Sequence, residues 1–258
     1  MHAEQYGYRS TPRLRSIFDG NPLDHPRYPP PRRRIAVVTG ASAGVGFEIS
    51  KQLALHGAHV VMASRYENRT RETARRIQLE VPGASLEPLR LDLADLSSVR
   101  KFAGVCAGRY GRLDMLINNA GISGGPRRIT KDGFEMLFQV NYLGHFALTG
   151  LLLSALSRHC QDWPLRRQAL RVGPLADVSR KAAPRGPIPL GQPASVGALA
   201  PLFQATDLSA RSSRYVVGAK WPKPPGLAVE SFPARARDPS VAAKLWHVSE
   251  TLTGVRYL

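Results

Sequence analysis

The stretch TGASAGVG, residues 39 to 46, constrains this chain more than any other. It closes IAVVTG (35 to 40), a short β-branched run with the look of a buried parallel strand. It also opens SAGVGFEISKQLALHG (42 to 57), where Val45, Ile49, Leu53 and Leu55 recur at near-helical spacing before Gly57. A strand, a glycine turn and a helix in that order need small residues at set places. Gly40 lets the chain turn sharply out of the strand, and Gly44 lets backbone N–H groups approach a pyrophosphate. Gly46 lets the helix lie close to the strand. With Ser42 and Val45 between them, these residues aim the positive end of a helix at bound phosphate.

Downstream the alternation continues. Strand HVVMAS (59 to 64) is followed by a charged helix over about 66 to 79, strand LEPLRLDL (86 to 93) and a helix over about 95 to 108. Strand LDMLINNAG (113 to 121) and a long helix over about 132 to 156 complete this half. Strands alternating with helices at this pitch need crossover connections. They predict an α/β fold with a doubly wound, Rossmann-like parallel sheet covered on both faces.

After Arg158 the pattern collapses into about forty residues rich in Arg, Pro, Ala and Gly. Periodicity returns near Gly197. GALAPLFQAT reads as a helix, SRYVVG as a strand, and DPSVAAKLWHVSETLTG as a capped helix. That last helix has Asp238 at the N-cap, Pro239 at the first position and Gly254 at its end. Its Val241, Leu245, Val248 and Leu252 fall on one apolar face. Four segments result: a basic N-terminal extension (1–33), a nucleotide-binding half (34–157), an irregular stretch (158–196) and a remnant of the same domain (197–258). The second half of the sheet is expected to be incomplete.

The formal charge of +17 raises the question of a nucleic-acid partner. Much of it sits in two Pro- and Arg-rich stretches, 9 to 34 and 158 to 185, without regularly interleaved aromatics or a nucleic-acid motif. Solvated segments explain this, with an anionic partner as the alternative. Two cysteines, Cys106 and Cys160, make no disulfide framework and suit a reducing compartment. No metal site is expected. The N-terminal MHAEQYGYRSTPRLRS lacks the apolar core of a signal peptide, which leads to the expectation of a cytoplasmic protein. The apolar stretch His145 to Leu156 is shorter than a bilayer of about 30 Å requires, so no transmembrane segment is expected.

The glycine spacing TGxxxGxG resembles that of the short-chain dehydrogenase/reductases, and three further stretches agree. LDL, with Asp92 and Leu93, is similar to the acidic motif that the family sets beside the adenine. INNAG, with Asn119, Ala120 and Gly121, resembles the strand end that borders the cofactor. FQVNYLGHFALTGLLL is similar to the central helix, with Asn141 at the place of the active-site asparagine. The resemblance covers about residues 34 to 157. It is closest to the branch of retinol dehydrogenases, WW-domain oxidoreductases and their bacterial relatives, whose tails the last residues also resemble. It implies a nicotinamide cofactor, oxidation of an alcohol or reduction of a ketone or aldehyde, a small lipophilic substrate and a homo-oligomer. At the end of the second strand stand Ala63, Ser64 and Arg65, with no carboxylate to hold a ribose 2′-hydroxyl. An arginine suits a 2′-phosphate, so NADP(H) is expected over NAD(H).

The family's proton is moved by a tyrosine whose phenol, near pKa ~10 when free, is lowered by a lysine four residues on. No Tyr-x-x-x-Lys occurs in this chain. Tyr215 and Lys220 are five apart, which on a helix rotates them about 140° from each other, and Val-Val-Gly between them suits a strand. ADVSRKA faintly resembles the family's serine motif, with Ser179 in the serine's place and Arg180 where the second serine belongs. Only Asn141 carries over from the catalytic set. The expectation is an oxidoreductase by descent, impaired in acid–base chemistry. The alternatives are a non-catalytic NADP(H)-binding or regulatory protein, and a truncated or frame-shifted product. Residues 158–196 would fit a splice variant, a frameshift or divergence equally well.

Overall fold

The computed structural model describes residues 34–158, 194–206, 215–218, 227–230 and 238–257. Four parallel strands form its central sheet in the order β3-β2-β1-β4. They are β1 (Ile35–Thr39), β2 (His59–Ser64), β3 (Ser85–Arg90) and β4 (Met115–Ile117). The first three are joined in sequence by α1 (Gly44–Leu55) and α2 (Glu67–Glu80), and β3 leads through α3 (Leu96–Tyr110) to β4. A long helix, α4, follows. It starts as Met136–Phe138, passes through a π turn at Gln139–Leu143 and continues as Gly144–Arg158.

Alternation along the strands divides the core into two layers. Ala36, Val38, Val60 and Met62 face Ile49 and Leu53 of α1 and Ile77 of α2. Val37, Val61 and Leu116 face Phe102 of α3 and Leu148 and Leu152 of α4. Helix α5 (Ala194–Thr206) adds Ala198 and Leu202 to the first layer, against α1. Helices therefore cover both faces of the sheet, as the sequence predicts.

Several boundaries differ from expectation, each for a local reason. β3 ends at Arg90, because Asp92 leaves the sheet to accept a hydrogen bond from the Ala94 amide at 3.0 Å, and Asp95 then caps α3. Pro88 is tolerated because β3 is an edge strand. β4 is only three residues long, since Asn118 turns to donate to Thr149 Oγ1 at 3.1 Å. Helix α4 begins at Met136 rather than near residue 132. With the π turn included, Met136–Leu156 is long and apolar enough to cross a bilayer by length and composition, although half of that stretch is buried within the protein. Cys106 is buried in the second layer, and Cys160 lies outside the described residues.

β5 (Tyr215–Gly218) forms where SRYVVG predicts a strand, but it joins no parallel sheet. It pairs antiparallel with β6 (Leu227–Glu230), a strand the sequence did not suggest. Helix α6 (Pro239–Thr253) has the predicted Asp238 cap, Pro239 and left-handed Gly254. Its apolar stripe faces outward. Val241, Leu245, Val248 and Leu252 are exposed, and the helix buries Ser249 and Thr253 instead. The anchoring is polar and aromatic: Tyr142 Oη meets Ser249 Oγ at 2.9 Å, and Trp246 packs edge-on against Phe146.

Candidate functional site

The glycine loop sits at the carboxyl edge of the sheet, where β1 gives way to α1. Gly40 turns out of the strand with φ 66°, and its amide donates to the Ala63 carbonyl at 2.8 Å. A methyl group on Gly40 would lie 2.8 Å from Ala120 Cα, so the loop and the strand end of β4 touch backbone to backbone. Gly44 has φ 57° and open space on its side-chain face. Gly46 is tighter still, since a Cβ there would lie 2.2 Å from the Gly40 carbonyl oxygen. The three glycines thus serve the turn, the open approach and the close packing that their spacing implies.

Helix α1 has Ala43 at its N-cap, with no side-chain cap and no acidic residue in its first turn. Its first N–H groups and positive dipole end therefore remain available to an anion. Ser42 contributes a carbonyl that accepts from Thr73 Oγ1 at 2.9 Å, which ties the loop to α2. Val45 serves the loop through its backbone, because its side chain faces α5, where a Cβ on Gly197 would approach it to 2.9 Å.

At the end of β2, Arg65 extends into a cleft of about 890 Å³ that Tyr66, Arg69, Arg90 and Asp92 also line. The Arg65 guanidinium lies 4.5 Å from the centre of the Tyr66 ring and donates to the Tyr66 hydroxyl. Stacking of this kind holds a flat cation in place. Asp92 borders the cleft with its carboxylate set by the turn, and the buried Leu93 brings its carbonyl against Gly144 of α4. Three arginines and the carboxylates of Glu67 and Asp92 therefore border the cleft.

The strand end after β4 joins this loop to α4. Asn119 Nδ2 donates to the Thr39 carbonyl at 2.8 Å, and the Ala120 amide donates to Thr39 Oγ1 at 2.9 Å. Gly121 lies beside Asn141, whose Oδ1 is 3.5 Å from the place of a Cβ. Asn141 exchanges two hydrogen bonds with the Ile122 backbone, accepting at 2.8 Å and donating at 2.9 Å. Both are made from inside the π turn, a deviation that recurs at functional sites. The structure brings Gly40, Ser42, Gly44, Val45, Gly46, Asn119, Ala120, Gly121 and Asn141 together, with Arg65, Asp92 and Leu93 along the adjoining edge.

Sequence reasoning missed four residues here: Tyr66, Arg69 and Arg90 in the cleft, and His145 beneath the loop. The arginines could have been found from the charge flanking the two strand ends. His145 gave no signal beyond a lone histidine in an apolar helix. It is 2% exposed, with Nε2 2.9 Å from Thr39 Oγ1. Burial pushes its pKa down to about 4. The unfolded chain takes up this proton below about pH 6.5, which the folded chain refuses until about pH 4. Stability should therefore be full above that window and fall as pH drops through it, by up to about 3 kcal/mol. Urea denaturation at pH 7 and pH 4.5 checks this, and a difference that persists undiminished in His145→Gln would contradict it.

No acid–base pair joins the site among the described residues. Tyr215 lies on β5, opposite Glu230, in a strand and not on a helix. Lys220 and Ser179 lie outside the described residues. Tyr142 is engaged with Ser249.

Comparison with known proteins follows the same division. The family model for short chain dehydrogenases matches residues 34–161. The human WW domain-containing oxidoreductase is 46% identical over 133 residues, covering 52% of this chain and 31% of that protein. Human polyprenol dehydrogenase is 41% identical over 131 residues, covering 51% and 40% respectively. The chain thus spans less than half the length of these relatives. A crystal structure of an uncharacterised protein from Mycobacterium paratuberculosis superposes with a TM-score of 0.66 at 28% identity, over 90% of this chain and 97% of that one. With the glycine loop at the edge of a parallel sheet and the match over residues 34–161, this chain belongs to the short-chain dehydrogenase family.

Proposed function

We propose that this chain binds NADP(H) in preference to NAD(H). Any interconversion of an alcohol with a ketone or aldehyde on a small lipophilic substrate then proceeds only at a trace rate. The observation that carries the cofactor preference is the cleft at the end of β2, where Arg65, Arg69 and Arg90 converge. Neither Arg69 nor Arg90 has an ion pair among the described residues. Glu67, the nearest acid on α2, is paired with Arg71. A 2′-phosphate would meet paired, charge-assisted hydrogen bonds there, whereas a ribose hydroxyl would find only the Glu67 carboxylate, which Arg71 already engages.

The residues fit the rest of the dinucleotide. Gly44 leaves open the face where a pyrophosphate would lie, and the uncapped start of α1 supplies its N–H donors. Asp92 would accept from the adenine, and the 119–121 backbone would border the nicotinamide ribose. When bound, the nicotinamide supplies or accepts the hydride. The chain's own part in the chemistry is smaller. By family resemblance, Asn141 would hold a water in the proton path, its side chain already committed to Ile122. The relative named for polyprenol, a lipophilic alcohol, supports a lipophilic substrate and not its small size.

A second reading, a non-catalytic NADP(H)-binding or regulatory protein, is favoured by the absent Tyr-x-x-x-Lys and by Tyr215 lying on a strand. Stabilisation by the nucleotide without turnover would select it. Thermal unfolding with NADPH and NADH at equal concentration tests the shared claim. NADPH should give the larger shift, and Arg65→Ala should erase the difference. A larger shift with NADH, or a preference untouched by Arg65→Ala, would sink it.

A further inference from the structure

We infer that His145 is a positioning residue for the dinucleotide loop: through Thr39 it fixes the backbone at Asn119 and Ala120 against Gly40. The inference rests on the dinucleotide reading above. A ring buried this deeply in the second core layer would be costly without hydrogen bonds, and it directs one at β1. Thr39 Oγ1 already accepts from the Ala120 amide at 2.9 Å, so its single proton must go elsewhere. The His145 Nε2 is 2.9 Å away, and the competing Ile117 carbonyl is 3.4 Å away. The shorter contact assigns the Thr39 proton to His145 Nε2, with the Ile117 carbonyl as its alternative acceptor.

The same threonine carries the rest of the junction. Its carbonyl receives Asn119 Nδ2, which also reaches the Gly40 carbonyl at 3.5 Å. Gly40 and Ala120 approach so closely that not even a methyl group fits between them. Without the histidine, the Thr39 hydroxyl is free to rotate toward Ile117, and the Ala120 amide loses a defined acceptor. The 119–122 backbone would then shift, and with it the edge on which the dinucleotide lies. At its far end this backbone pairs with Asn141, so the one relay also sets the π turn.

A purely structural histidine would lower stability and leave the affinity of the folded chain unchanged. A positioning one changes affinity and is rescued by an acceptor at the same place. In the full chain, His145→Leu should weaken NADPH binding, read by fluorescence titration of the folded fraction, by about tenfold or more. Hydrogen exchange at Ala120 should accelerate in the same variant. His145→Gln, whose amide oxygen can take the place of Nε2, should restore affinity to within about threefold of the parent. Unchanged affinity in folded His145→Leu, or a Gln variant no better than Leu, overturns the inference. Should His145→Leu fail to fold, Thr39→Ser against Thr39→Val carries the test: serine should keep the affinity and valine lose it, and equal affinities overturn the relay. If the parent binds no NADPH, the dinucleotide reading itself has failed. Exchange at Ala120 then decides, and unchanged protection in His145→Gln and His145→Leu alike refutes the relay.

Discussion

Gly46→Ala should destabilise this protein by about 3 kcal/mol or more and abolish NADPH binding. Its added methyl would sit 2.2 Å from the Gly40 carbonyl oxygen, 2.6 Å from Asn119 Nδ2 and 2.8 Å from the Gly40 carbonyl carbon. Two of these are backbone atoms, and Gly40 cannot retreat because it is already against Ala120. The first turn of α1 would have to lift off β1, taking the phosphate-facing N–H groups with it. Gly44→Val should separate the two effects. A Cβ there meets nothing within 4 Å among the described residues, so the fold loses mainly the cost of φ 57° in a β-branched residue, about 1 to 3 kcal/mol. The same side chain would occupy the open face of the loop and block the pyrophosphate. Urea denaturation and NADPH titration of both variants check the pair. A Gly46→Ala protein of parental stability and affinity would refute the packing described for α1.

The second large effect concerns turnover. General acid–base catalysis contributes ~10² to 10⁴-fold, so this chain should fall short of a short-chain dehydrogenase that carries Tyr-x-x-x-Lys by about that factor. Tyr215→Phe should leave any residual rate unchanged, since Tyr215 lies on an antiparallel strand five residues from Lys220. Steady-state rates of NADPH oxidation over a panel of ketones and aldehydes measure both. A fall of two orders of magnitude in Tyr215→Phe, with NADPH affinity intact, would mean that the acid–base pair had been rebuilt from another element.

Local sequence reported the nucleotide half well because its determinants are local. The glycine spacing, the β-branched runs of β1 and β2 and the Asp238-Pro239 helix start each depend on neighbours in the chain. What escaped it depends on contacts between distant residues. The π turn is drawn by Asn141 bonding to Ile122, nineteen residues earlier, and no helical periodicity records that. His145 acquires its role only once Thr39, 106 residues away, lies beneath it. For α6, periodicity reports the apolar stripe and not which side is covered. Ser249 and Thr253 turn inward because Tyr142 and the helix carbonyls satisfy their hydroxyls. β6 escaped because LAVE is only four residues long and a Pro-Pro-Gly run precedes it. Arg69 and Arg90 come to one cleft only where the start of α2 meets the end of β3.

The claim on which the rest depends is that this chain retains a complete dinucleotide site although the family's acid–base pair is missing. Calorimetric titration of the full chain with NADPH tests it most directly. One saturating site per chain is predicted, with weaker binding of NADH and no binding by Gly46→Ala. No measurable binding of either nucleotide by a cooperatively folded parent would contradict the account.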